Sequence, residues 1–199
     1  MEIRILFGQI PPCDNLRDRH AAASAVGREL LRLLLAEYFP GEMVEVAKTH
    51  LGKPFLPAHP EVGVSVSHSG DYAVAAVAPG AVGIDLERIR EPSPGALKKC
   101  FTPEECAMVS AEGEEAFTRL WTTKEAIGKA LGTGLLNREL FQKESRVILS
   151  EKGFVAVPIQ VPAGYRCTLV AEEKALRNPP KCAMIKKEFQ KKEGYYHEI

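Results

Sequence analysis

Asp85 and Glu87 alternate along the apolar run Val82-Gly83-Ile84-Asp85-Leu86-Glu87, so in a strand both carboxylates point to one side of the sheet. Glu125 and Lys129 stand four apart in Trp121-Thr122-Thr123-Lys124-Glu125-Ala126-Ile127-Gly128-Lys129, the spacing that places two side chains on one helix face. Two hard oxygen ligands from a strand and a third from a helix suit Mg²⁺, which mixes carboxylates with phosphate and water. The neighbouring lysine points to a phosphate as the metal's other partner. Each segment alone has an ordinary explanation. Asp-x-Glu commonly marks the wet face of a sheet, and a Glu125–Lys129 surface pair would contribute only about 0.3–0.5 kcal/mol. The two segments together carry the argument.

Stepping outward, the surrounding pattern supplies the elements that would position them. Residues 2–7 read as a first strand. Arg17 to Tyr38 reads as a long helix with an apolar stripe of Val26, Leu30, Leu33, Leu34 and Tyr38, ended by Pro40-Gly41. Gly52-Lys53-Pro54 opens an irregular stretch running to Pro60. Val62, Val64 and Val66 alternate with small residues in a half-buried strand that ends at Ser67-His68-Ser69-Gly70. Tyr72–Ala78 and Val82–Arg88 add two strands across a Pro79-Gly80 turn, giving a hairpin or short meander. Gly83 leaves room beside its strand for a bulky ligand or a facing backbone.

The Pro-rich stretch at 91–95 divides the chain into halves, 1–95 and 96–199. Thr102-Pro103-Glu104-Glu105 predicts a capped helix start, and Glu114 to Leu131 a helix with Phe117, Leu120, Ile127 and Leu131 on its apolar side. Gly132-x-Gly134 stops it. Arg146–Leu149, Phe154–Ile159 and Tyr165–Glu172 read as strands, and the tail from Lys186 as polar and loosely ordered. The class is α+β.

Composition narrows the partners. The 199 residues balance 26 basic against 26 acidic side chains, which argues against bulk electrostatic binding to nucleic acid or anionic membrane. The longest apolar stretch, Leu30 to Ala36, is broken by Arg32 and is too short to span a bilayer. With no signal-peptide pattern at the start, the expected location is cytoplasmic. Five widely spaced cysteines with no Cys-x-x-Cys pair read as buried, reduced thiols rather than a zinc site or disulfide framework.

The two segments, in this order and at this separation, resemble the signature of the phosphopantetheinyl transferases of the large, surfactin-synthetase-activating type: (Val/Ile)-Gly-(Ile/Val)-Asp-x-Glu, then (Phe/Trp)-x-x-Lys-Glu-(Ala/Ser)-x-x-Lys. Gly52-Lys53-Pro54 is similar to that family's Gly-Lys-Pro loop, Val66-Ser67-His68-Ser69 to its Ile-Ser-His-Ser strand end, and Phe101-Thr102-x-x-Glu105 to a further segment. The resemblance covers residues 50–135 strongly. Two departures stand out. Ser65 replaces a frequent Asn, and a basic position of the first long helix aligns with Ala22 or Ala23, leaving Arg17, Arg19 or His20 as substitutes.

The resemblance implies two similar α/β halves forming a pseudo-dimer, with the active site at their interface in a monomer. It implies coenzyme A as substrate and a serine of an apo acyl or peptidyl carrier protein, displayed at an acidic helix, as acceptor. Asp85, Glu87 and Glu125 would hold Mg²⁺ on the pyrophosphate. Lys53, Pro54, Ser67, His68, Lys124 and Lys129 would contact coenzyme A, His68 at the 3′-phosphate, with Lys124 assisting or supporting the fold. Lys129 would neutralise the leaving phosphate, and Glu125 would take the serine proton, directly or through a metal-bound water. A non-catalytic coenzyme A-binding module and a Mg²⁺-dependent pyrophosphate hydrolase are the competing functions.

Overall fold

The computed structural model describes residues 2–185, 189–192 and 195–198. The chain runs β1 (Arg4–Gln9), α1 (Leu16–Tyr38), short β2 (Ala47–Lys48) and β3 (Pro54–Phe55), then β4 (Val62–Ser69), β5 (Tyr72–Pro79) and β6 (Val82–Arg88). Helices α2 (Pro94–Cys100), α3 (Pro103–Glu112), α4 (Glu114–Leu131), α5 (Glu139–Gln142) and α6 (Ser145–Lys152) follow. Strands β7 (Phe154–Pro158), β8 (Tyr165–Glu172) and β9 (Lys181–Ile185) precede an antiparallel ribbon of β10 (Phe189–Lys192) and β11 (Tyr195–Glu198).

The period-2 alternation of the central strands sets up a layered α/β molecule. One sheet has the order β4-β5-β1-β9 and the other β6-β8-β7. Ala73, Ala75 and Val77 of β5 turn to Val26, Leu30 and Leu34 of α1, while Val74 and Ala76 turn the other way. There they meet Ile84 and Leu86 of β6 and Cys167 and Leu169 of β8, so the sheets pack face to face. The far face of the second sheet is covered by α4, whose Ala126 and Ile127 pack with Val170, Leu140 and Ile148. The layers are thus α1, sheet, sheet, α4.

Three expectations need revision. First, the three consecutive strands do not form a meander. β4 and β5 pair as a hairpin, but β6 leaves them to pair with β8, Asp85 opposite Thr168 and Glu87 opposite Arg166. β6 therefore joins the second sheet, while β9 returns to the first as a parallel partner of β1, so the sheets exchange strands across the expected 95/96 division.

Second, Arg146–Leu149 is not a strand but part of α6. A run of four residues with three apolar side chains fits either state by periodicity. Packing decides: only Ile148 is fully buried, against α4, while Val147 stays 38% exposed. Gly153, between two of the expected strands, is the left-handed cap of this helix (φ 65°) and donates to the Leu149 and Ser150 carbonyls. Third, part of the tail is regular, as β10 and β11. The rest of that tail reading, at 186–188, 193–194 and 199, lies outside the described residues.

Candidate metal and phosphate site

Gly83 determines how the site assembles. A Cβ at this position would stand 2.0 Å from the Ala126 carbonyl oxygen and 2.6 Å from the Ala130 nitrogen, so only glycine lets α4 lie directly on β6. The facing backbone anticipated from the sequence is this helix. That close crossing brings the exposed-side residues of α4 onto the odd-numbered face of β6. Lys129 Nζ donates to Asp85 Oδ1 at 2.7 Å, to Ser67 Oγ at 2.9 Å and to the Ile84 carbonyl at 3.1 Å. Asp85 is 4% exposed, and its Oδ2 is buried without a hydrogen-bond partner.

Glu125 is coupled to the same charges. Burial, then the Asp85 carboxylate and more weakly Glu87, push its carboxyl up to about 7 against the opposing pull of Lys129. Burial also raises Glu87, with Asp85 adding to it and the Ser69 hydroxyl opposing. Three carboxylates thus share one half-buried space with one ammonium.

β4 supplies the opposite wall through its serine hydroxyls. Ser67 Oγ donates to Asp85 Oδ1 at 2.8 Å and Ser69 Oγ to Glu87 Oε2 at 2.8 Å. On the other face of the strand, His68 meets His20 of α1 edge to face, ring centroids 5.6 Å apart. Burial, His20 and Lys129 together lower the His68 pKa, so the ring is neutral near pH 7. His68 lines a cleft of about 830 Å³ between α1 and the segment around residues 42–54, with Ser24, Arg28, Lys48, Gly52 and Pro54 also on its walls. A cleft of about 930 Å³ opens beyond Lys53 and Pro54, away from the carboxylates. Lys53 sits on the ridge and donates to the Ala130 carbonyl at 2.7 Å, the partly desolvated ammonium having a lowered pKa.

Lys124 is the predicted site residue that the fold does not bring here. It is 1% exposed by side chain and pairs with Glu105 Oε2 at 2.9 Å, itself 2% exposed. Its remaining protons go to the carbonyls of Leu140 and Lys143. Neighbours on a helix diverge by about 100°, so Glu125 lies toward Asp85 and Lys129 while Lys124 faces α3, α5 and α6. Of the two roles left open for it, fold support is the one it occupies.

Sequence reasoning also passed over residues on α1. Arg17 lies outside the cleft walls, Arg19 pairs with Asp71, and Ala22 and Ala23 are buried. The α1 cations on the cleft walls are Arg28 and Arg32, the latter paired with Glu29, and Arg28 shares a 24–28–31–35 face with Ser24, Leu31 and Leu35. That polar interruption of an apolar stripe was visible in the helical spacing.

Among the described residues, no three His, Cys, Asp or Glu side chains stand ready-converged on a metal ion. The chemistry of the donor set nevertheless fits a hard cation. Asp85 offers a buried oxygen with no partner, and the Glu125 and Glu87 carboxyls are raised first by burial and then by the Asp85 carboxylate.

Fold and site together define a mixed α/β protein in which carboxylates of β6 and α4 cluster around one lysine. A family model described as the 4′-phosphopantetheinyl transferase superfamily matches residues 81–177, the segment that carries β6, α4 and β8. The L-aminoadipate-semialdehyde dehydrogenase-phosphopantetheinyl transferase of Mus musculus is 31% identical, covering 74% of this chain and 64% of its own length. The 4′-phosphopantetheinyl transferase gsp of Aneurinibacillus migulanus is 30% identical over 77% of this chain and 69% of its own. The 4′-phosphopantetheinyl transferase of Bacillus subtilis is 33% identical over 57% and 50%. The chain belongs to the 4′-phosphopantetheinyl transferase superfamily. It spans about 64% of the length of the mammalian relatives.

Proposed function

We propose that the protein moves 4′-phosphopantetheine from coenzyme A to a serine of an apo carrier protein, releasing 3′,5′-ADP, with Mg²⁺ as cofactor. The observation that carries this is the cluster of Asp85, Glu87, Glu125 and Lys129, with His68, next to Ser67 in β4, lining a separate cleft beside α1.

Asp85, Glu87 and Glu125 would hold the Mg²⁺, which when bound supplies Lewis-acid charge to the pyrophosphate. The cleft of His68, Arg28 and Lys48 takes the nucleotide, with His68 at the 3′-phosphate. Pro54 lines that cleft, and Lys53 stands next to it in the chain on the wall of the neighbouring cleft. The carrier serine oxygen attacks the phosphorus bonded to pantetheine. A new P–O bond forms to serine, and the P–O bond to 3′,5′-ADP breaks. Lys129 meets the charge that develops on the departing phosphate, the kind of interaction that dominates phosphoryl transfer. Glu125, whose carboxyl is raised to about 7 in the metal-free protein, would take the serine proton, directly or through water.

The two helix-backed sheets support the pseudo-dimer reading, with α1 on one and α4 on the other and the site between β4 and β6. A monomer in the cytoplasm suffices for this chemistry. Among the described residues no helix is long and apolar enough to cross a membrane.

Incubation with coenzyme A, Mg²⁺ and an apo carrier tests the proposal by mass spectrometry. The carrier should gain one phosphopantetheine arm. Coenzyme A breakdown without a carrier would instead indicate a hydrolase, and binding with neither outcome a non-catalytic module. Asp85→Ala should abolish transfer in a folded protein, and near-normal turnover in that variant would sink the metal-site assignment.

A further inference from the structure

β6 presents a free edge toward β4, yet the two strands do not pair by backbone. Alternate serines of β4 fill the gap. Ser65 Oγ accepts from the Ile84 N–H at 3.0 Å, Ser67 Oγ from Leu86 N–H at 3.3 Å and Ser69 Oγ from Arg88 N–H at 3.1 Å. Each hydroxyl thereby satisfies an edge donor that would otherwise be unmet inside the protein. Accepting a proton from the backbone leaves the hydroxyl hydrogen to be aimed elsewhere. In two of the three rungs it is aimed at a carboxylate: Ser67 at Asp85 and Ser69 at Glu87. The Ser65 rung lies beside Gly83, where there is no carboxylate to receive it.

We infer that Ser67 and Ser69 are positioning residues, which fix the rotamers of Asp85 and Glu87 by holding one oxygen of each carboxylate. The inference rests on the reading of Asp85 and Glu87 as metal ligands and extends it to the strand that orients them. Hydrogen-bonded partners behind metal ligands commonly carry 10–100-fold in metal affinity. Ser67 is doubly committed, since its oxygen also accepts from Lys129. It therefore sets the distance between the ammonium and Asp85 as well as the carboxylate's orientation. Its role toward coenzyme A is then indirect. His68, between the two serines in sequence, faces the cleft from the opposite side of the same strand.

The ladder contains its own control. Ser65→Ala removes an edge cap of the same kind without touching a carboxylate, so a purely structural ladder would make all three alanine variants alike. The experiment is Mn²⁺ binding, followed by electron paramagnetic resonance on the full chain, for the wild type and for Ser65→Ala, Ser67→Ala, Ser69→Ala and Ser69→Thr. Urea midpoints are measured alongside. Expected are a roughly tenfold or greater weakening of Mn²⁺ binding in Ser67→Ala and Ser69→Ala, wild-type binding in Ser65→Ala, and recovery in Ser69→Thr, which restores the hydroxyl. Unchanged Mn²⁺ binding in Ser69→Ala, or an equal loss in Ser65→Ala, would overturn the inference. A wild-type protein that took up no Mn²⁺ would overturn the metal-site reading itself, and this inference with it. Should Ser67→Ala fail to fold, the comparison of Ser69→Ala with Ser69→Thr and Ser65→Ala still decides the matter.

Discussion

Replacing Lys124 by methionine tests whether this motif lysine serves the fold or the substrate. Its ammonium and the Glu105 carboxylate are both sealed from water, 1% and 2% exposed. Glu105 also accepts from the Thr102 N–H at 3.0 Å, closing a capping box on α3, and from Ser145 at the start of α6. Lys124 in turn ties down the Leu140 carbonyl of α5. One ion pair thus clamps four helices. Methionine preserves length and apolar volume but leaves the carboxylate buried against neutral donors alone, which costs about 3–5 kcal/mol. That is a large share of the stability of an ordinary domain. Glu105→Gln should cost a comparable amount, because an ammonium is then left facing carbonyls. The double variant should recover about 2 kcal/mol or more of the summed loss, since no buried charge remains and the glutamine can still cap α3. Urea unfolding followed by the fluorescence of the single tryptophan, Trp121, reads all four corners of the cycle. Protein that stays folded should keep its KM for coenzyme A. A Lys124→Met variant with a wild-type midpoint and a raised KM would refute the clamp and put the ammonium at the nucleotide.

Gly83→Ala should cost about 3 kcal/mol or more and remove transfer, because both atoms that the new methyl would strike belong to the α4 backbone; an unchanged melting temperature would refute the close-crossing argument. His68, its pKa lowered by burial, His20 and Lys129, should take up a proton when a phosphate arrives beside it, so coenzyme A binding should tighten as pH falls from 7.5 toward 6. Calorimetry in buffers of different ionisation enthalpy checks this, and 3′-dephospho-coenzyme A should show no such dependence. Glu125, raised from 4.5 to about 7, is protonated in the folded chain and ionised in the unfolded one across that window, so the metal-free protein should lose about 2 kcal/mol as pH rises through it. Glu125→Gln should flatten that slope in urea titrations with EDTA at pH 5 and 7.5, and an equal slope in both proteins would refute the assignment.

The groove was legible because its makers are local. Asp85 and Glu87 are fixed by strand period, Glu125 and Lys129 by helix period, and Gly83 by the absence of a side chain where backbones touch. What escaped was set by packing between distant segments. Nothing in Lys124 distinguishes it from a solvated lysine until α3 brings Glu105 to it from nineteen residues upstream. The run at 146–149 carries no period of its own, and only the depth of Ile148 against α4 makes it helical. The strand at 181–185 is largely exposed, so it has no apolar alternation to announce it, and its place beside β1 is a matter of topology.

The same distinction explains why the site lies where it does. Had β4 and β6 paired through their backbones, the two sheets would have merged and the space beside Asp85 would have closed to strand spacing, about 4.8 Å. Serine hydroxyls accept the edge N–H groups instead, so the strands stay joined at the greater separation of side chain to backbone. The seam left open is polar on both sides, with hydroxyls on β4 and carboxylates on β6. Lys129 reaches it from α4, and His68 flanks it on the far side of β4. An edge strand that is neither paired nor free is therefore the structural origin of the groove, and filling it with backbone would abolish the site before any ligand residue were changed.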